Sequence, residues 1–118
     1  MDQTTASRVD TAESARLLRV IANPLRLEIL FCLLEHPKCV CELAEEFNCR
    51  QPNISQNLMR LRREHLVTCH REGWNVWYSL SSPKIQYFLD SLLSVWGNMQ
   101  ELSKGIMFEE DYLDRRIK

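Results

Sequence analysis

At 118 residues, 45% of them hydrophobic, the chain is sized for one domain spanning residues 1–118, with a modest core that a homodimer would enlarge. No run of about 18 apolar residues occurs, which argues against a membrane span. The net charge of -1 does not by itself point to nucleic acid, but its distribution does: residues 50–71 hold Arg50, Arg60, Arg62, Arg63 and Arg71 against the single Glu64, while residues 1–46 hold five basic against eight acidic side chains.

The first 20 residues are polar and charged, without an apolar h-region, so a cytoplasmic protein is expected. Five cysteines in such a chain argue for reduced thiols rather than a disulfide framework. Residues 1–10 and 109–118 read as flexible or docked tails.

From Thr11, the residues Ala12, Ala15, Leu18 and Ile21 recur at helical spacing and predict a first helix. Asn23-Pro24 breaks it and opens a second, with Asn23 as N-cap and Pro24 at the first helical position. Leu25, Ile29, Leu30, Leu33 and Leu34 give this helix a wide apolar face, and His36-Pro37 ends it. A short third helix runs from about Val40 to Phe47, with Val40, Leu43, Ala44 and Phe47 inward. After the turn Asn48 to Gln51, Pro52 opens a fourth helix with Ile54, Leu58 and Leu61 on one face. Two helices joined by about four residues, the second polar on its outer side, form a helix-turn-helix.

The period then changes. Val67, Cys69 and Arg71 alternate with Thr68, His70 and Glu72, Glu72 to Asn75 supplies a turn, and Val76 to Leu80 is a second strand. A two-stranded hairpin directly after the recognition helix is a wing. Pro83 opens a last helix with Ile85, Leu89, Leu92, Trp96, Met99 and Ile106 along one stripe, which predicts a two-fold interface from Leu18, Leu89, Leu92, Trp96 and Met99. The alternative is that the stripe covers the domain's own core. The expected fold is therefore mainly α (α+β): a winged helix-turn-helix of about five helices plus a two-stranded hairpin, as a homodimer.

The segments Asn23-Pro24-Leu25-Arg26, Cys39-Val40-Cys41-Glu42-Leu43-Ala44, Gln51-Pro52-Asn53-Ile54-Ser55-Gln56-Asn57-Leu58, Leu61-Arg62, Leu66-Val67, Arg71-Glu72-Gly73 and Tyr78-Ser79-Leu80 together span about residues 12–80. In that order the chain resembles the ArsR/SmtB family of metalloregulatory winged-helix repressors. The resemblance implies a homodimer that binds operator DNA without a cofactor and leaves it when an inducer binds.

Gln51, Asn53, Ser55, Gln56, Asn57 and Arg60 lie off the apolar face of the fourth helix. Asn and Gln pair bidentately with adenine and Arg with guanine in the major groove, whereas Ser55 suits a phosphate or base edge near the helix start. Arg62 and Arg63 face either phosphate or solvent, and Arg71 of the wing is a phosphate candidate. Trp74 at the wing turn either presses on the DNA backbone or packs on its own hairpin.

Cys39 and Cys41 stand at the start of the third helix, where unpaired N–H groups and the macrodipole favour a thiolate. Thiolates suit soft ions such as As(III) or Cd(II). In arsenic- and cadmium-sensing members of the family this CxC supplies ligands, which the resemblance carries onto Cys39 and Cys41. The chain departs from those members, with Ala44 in place of a third Cys, no Cys in residues 1–31 and no His after His70. A third ligand would have to come from elsewhere, with Cys49 and Cys32 as candidates; Cys32 and Cys69 otherwise read as packed thiols.

The Arg50-Gln51-Pro52 and Leu66 to Gly73 segments also resemble the sulfide- and redox-responsive branch of the family. That branch uses one Cys on the second helix and one on the last, and the last helix here has none. A disulfide of Cys39 with Cys41, or of Cys41 with Cys49, is the variant switch this implies. A winged helix that binds protein rather than DNA is a third reading, and no enzyme arrangement is visible: three glycines form no phosphate loop, and His36, His65 and His70 share no ligand spacing.

Overall fold

A computed structural model describes residues 10–103, with side chains described through residue 95. Five helices and three short strands follow in the order α1 (Thr11–Ile21), α2 (Pro24–Glu35), β1 (Lys38–Cys39), α3 (Val40–Glu46), α4 (Gln51–Arg63), β2 (Val67–Glu72), β3 (Asn75–Leu80) and α5 (Pro83–Ser103). The winged helix-turn-helix is thus the fold observed.

Local chemistry sets the helix ends. Asp10 accepts the N–H of Glu13 at 3.2 Å, and Asn23 accepts that of Arg26 at 3.1 Å, each filling one orphan donor of a helix start. Pro24 and Pro52 sit in first turns, where a missing N–H costs nothing. Helices α3 and α4 end alike. Asn48 and His65 take left-handed φ values of 53° and 63°, and the next residues donate back to Ala44 at 2.9 Å and to Leu61 at 3.0 Å. Each closure turns the chain sharply within two residues, which sets the entry to α4 and the entry to the wing.

One core joins these elements. Ile29, Leu30 and Leu33 of α2, Leu43 of α3, and Ile54, Leu58 and Leu61 of α4 are buried together, with Val67 and Leu80 of the wing closing one side. All the inward residues of α4 therefore point away from its polar face. Arg16 of α1 pairs with Glu64, the cap residue of α4, and Ser81 donates its hydroxyl to the His65 carbonyl at 2.8 Å. These contacts tie α1 and the end of the wing to the C-terminal end of the recognition helix.

Two expectations change. The sheet has three strands in the order β1-β3-β2, because Lys38 and Cys39 pair antiparallel with Tyr78 and Trp77 of the wing. Leu89, expected on the partner-facing stripe, is completely enclosed by the protomer's own core. Leu92 beside it is half-buried, while Leu18 is 53% exposed. The side chains of Trp96 and Met99 lie outside the described ones.

Candidate DNA-reading face and thiol pair

Helix α4 is amphipathic in the sense that DNA reading requires. With Ile54, Leu58 and Leu61 wholly buried, the 3.6-residue period turns Gln51, Asn53, Gln56, Arg60 and Arg63 outward, and all five are exposed. Ser55 is half-buried. Asn57 departs from expectation: it is half-buried and its amide is already engaged. Its oxygen accepts from Arg26 at 3.1 Å, and its nitrogen donates to the Asn53 carbonyl at 2.8 Å and to Asn53 Oδ1 at 3.1 Å. Both ends of the Asn57 amide are thus engaged within the protein rather than held free for a base.

Strands β2 and β3 pair from Val67↔Leu80 to Glu72↔Asn75, leaving Gly73-Trp74 as a two-residue turn. Gly73 has φ +65°, and a Cβ there would meet no atom, so backbone conformation rather than space selects glycine. Trp74 is 97% exposed at the tip, which excludes packing against its own hairpin. Arg71 is exposed on the neighbouring strand.

The thiol pair sits where the wing meets the helix-turn-helix. Cys39 ends β1 opposite Trp77 and caps α3, and its N–H donates to Glu42 Oε1 at 3.1 Å, one half of a capping box. Its sulfur lies 3.1 Å from that of Cys41. Cys39 is 5% exposed whereas Cys41 faces solvent.

The expected lowering of the Cys39 thiol pKa is overturned. Burial, followed by the hydrogen bond with Cys41, pushes it up; the backbone hydrogen bond at Glu42 acts in the predicted direction but is outweighed. Cys32 is pushed up to about 12, chiefly by burial and then by its hydrogen bond to Glu46 at 3.4 Å. Glu46 also pairs with Lys38 at 3.4 Å, so Cys32 belongs to a separate polar cluster. Among the described residues no three His, Cys, Asp or Glu side chains converge to hold a metal ion, so neither Cys32 nor Cys49 completes the Cys39/Cys41 pair. Cys69 is half-buried opposite Tyr78 in the wing.

The profile described as "Bacterial regulatory protein, arsR family" matches residues 23–68, from the cap of α2 through the recognition helix to the wing. The transcriptional activator HlyU of Vibrio cholerae is 36% identical over 83 residues, covering 70% of this chain and 77% of that protein. The chain belongs to the arsR family of bacterial regulatory proteins. It is accordingly a DNA-binding transcriptional regulator and not an enzyme.

A second relative of this arsR-family chain, the arsenical resistance operon repressor of Staphylococcus aureus, is 31% identical over 68% of this chain and 77% of its own length. The solved structure of HlyU from Vibrio cholerae superposes with a TM-score of 0.69 at 35% identity, covering 73% of this chain and 94% of that one. A homodimeric winged helix-turn-helix domain from Mycobacterium bovis gives 0.68 at 25% identity, over 87% and 91%.

Sequence reasoning missed β1 and Arg26. The strand carries no periodicity, being two residues long. Arg26 had a visible signal, a lone cation among the apolar residues of α2, but its target is 31 positions away.

The regulator's thiols differ in access and in burial, so alkylation separates them. Brief treatment with iodoacetamide at pH 8, followed by peptide mass mapping, is expected to modify Cys41 first and Cys39 and Cys32 last. Equal labelling of Cys39 and Cys41 at the earliest times would contradict the burial of Cys39.

Proposed function

We propose that this arsR-family chain is a repressor that binds operator DNA as a homodimer and is released when Cys39 and Cys41 are engaged. The observation that carries the reading is the 3.1 Å approach of the two sulfurs at the junction of α3 and the wing. Two convergent thiolates suit a thiophilic metal(loid) such as As(III) or Cd(II). Remaining ligands would come from solvent, a small thiol or a second subunit. The described part of the protomer offers no third donor.

DNA contact is assigned to Gln51, Asn53, Ser55, Gln56 and Arg60 at bases and near-helix phosphates, with Arg63, Arg71 and Trp74 along the backbone. The homodimer is proposed through α1 and α5, where Leu18, Leu93 and Val95 are exposed, and the dimeric Mycobacterium bovis relative supports it. No helix among the described residues is long and apolar enough to cross a membrane, and the protein is proposed to act in the cytoplasm, on DNA.

Coupling has two routes from one residue. Cys39 is hydrogen-bonded into the sheet through β3 and also starts α3, which packs against α4. A ligand that pulls the buried Cys39 sulfur outward disturbs the wing and the recognition helix together, and the coupling free energy is the difference in ligand affinity between DNA-bound and free protein.

The same separation favours a second reading. Two thiols that lose two protons and two electrons to an oxidant would form a Cys39–Cys41 disulfide after the sulfurs close by about 1 Å, and no third ligand is then needed. One experiment decides. Fluorescence anisotropy of the reduced protein on DNA upstream of its own gene is followed while arsenite, Cd(II) or polysulfide is added, and sedimentation gives the oligomeric state of the complex. Release by metal(loid) under reducing conditions supports the first reading, release by polysulfide alone supports the second, and no DNA retention overturns both.

A further inference from the structure

One directed chain of hydrogen bonds runs from α1 to the outer face of α4. Arg26, in the first turn of α2, donates Nε to the Val20 carbonyl at 2.7 Å and Nη1 to Asn57 Oδ1 at 3.1 Å. A guanidinium only donates, so the Asn57 atom facing it is the oxygen. The Asn57 nitrogen is thereby turned along the helix and donates to the Asn53 carbonyl and to Asn53 Oδ1. The Asn53 oxygen is held back toward Asn57, and its NH2 group is what remains to face outward. Asn53 is exposed in the first turn of the recognition helix, the part that meets base edges when such a helix enters the major groove.

The geometry points to Arg26 as a positioning residue that turns the Asn53 amide so that its NH2 group leads toward DNA, selecting a base edge that presents acceptors. An asparagine free to rotate offers its oxygen and nitrogen side by side and pairs with adenine N6 and N7. Held by this relay, Asn53 leads with its amide hydrogens, its oxygen being turned toward Asn57. The matching edges are guanine, with O6 and N7, or thymine, with O4. Arg26 is not assigned a base; it acts through Asn57, whose amide oxygen and nitrogen are both engaged within the protein. The Val20 end of the relay anchors the guanidinium to α1, so the polarity of the Asn53 amide is set by tertiary structure. The inference rests on α4 being the DNA-reading helix.

The test uses the full chain. Selection from random-sequence duplexes gives the preferred site, and anisotropy titrations then compare all four base pairs at each position for wild type, Asn53→Ala, Asn57→Asp and Arg26→Gln. Wild type is expected to favour guanine or thymine by about tenfold at one position, and Asn53→Ala to erase that preference there alone. Asn57→Asp keeps an acceptor for Arg26 but cannot donate to Asn53, so it is expected to erase the same preference. Its added charge weakens binding to all sequences, which leaves the ratio between bases as the readout. Arg26→Gln should lower the same ratio while melting as a folded protein, and if it does not fold, Asn57→Asp carries the test. Adenine at the Asn53-dependent position, or an unchanged ratio in Asn57→Asp, would overturn the relay and leave DNA reading standing. A selection that yields no preferred sequence would overturn the DNA-reading assignment and the relay with it.

Discussion

Replacing Gln56 and Arg60 together with alanine is expected to abolish specific operator binding while the protein stays folded. Both side chains are exposed on the side of α4 opposite Ile54, Leu58 and Leu61, so neither contributes to the core. Gln with adenine and Arg with guanine each discriminate by about 1–3 kcal/mol, which puts the combined loss at roughly a hundredfold or more. Exposed substitutions that remove no cap and open no cavity usually change stability by less than about 0.5 kcal/mol. Anisotropy on the selected operator and on a scrambled duplex, beside thermal melts, separates the effects. Weak salt-sensitive binding to both duplexes should persist through Arg50, Arg62, Arg63 and Arg71. Operator affinity equal to wild type would refute the assignment of these two residues.

The second large effect is at the thiols. The double variant Cys39→Ser, Cys41→Ser should bind the operator within a few-fold of wild type and lose its response to inducer. Serine suits the cap position that Cys39 occupies, and the Glu42 bond is made to the backbone N–H, which the substitution leaves in place. An undiminished response in this variant would place the sensing site elsewhere.

The pH dependence of wild type gives a further check. Burial holds Cys39 protonated, and a metal ion must displace that proton. Apparent affinity for Cd(II) should therefore increase from about pH 6.5 to 8.5, with the release midpoint falling at each step, whereas neutral As(OH)3 carries each thiol proton away as water and should show no such rise. Stability runs in the opposite direction. A thiol pKa raised by folding contributes stability below its unfolded value and loses it as pH climbs through the folded one. For Cys32 that window runs from the ordinary 9.0 to about 12.

Much of this fold was legible residue by residue. Asn23-Pro24 marked the start of α2, Pro52 the first turn of α4, and the shift from a period near four to a period of two at Val67 marked the wing. These features are local: a cap, a proline and an alternation act within a few residues, so the sequence carries them directly. The helix-turn-helix and its polar outer face followed from the same patterns, as did the family resemblance.

What the chain alone determined, then, was which elements form and which face of each is apolar. Tertiary structure decided the rest, because the deciding contacts join residues far apart in sequence. Cys39 became part of a strand only because Trp77 lies beside it, and the burial that follows outweighs the helix end and raises its pKa. Leu89 looked like an interface residue on its own helix and proved to be core once the other helices closed over it. Asn57 shares the helical face of the base readers, yet a guanidinium from α2 occupies it and orients Asn53. Periodicity assigns a residue to a face; only packing determines what that face meets, and so the charge, polarity and reach of the group it presents.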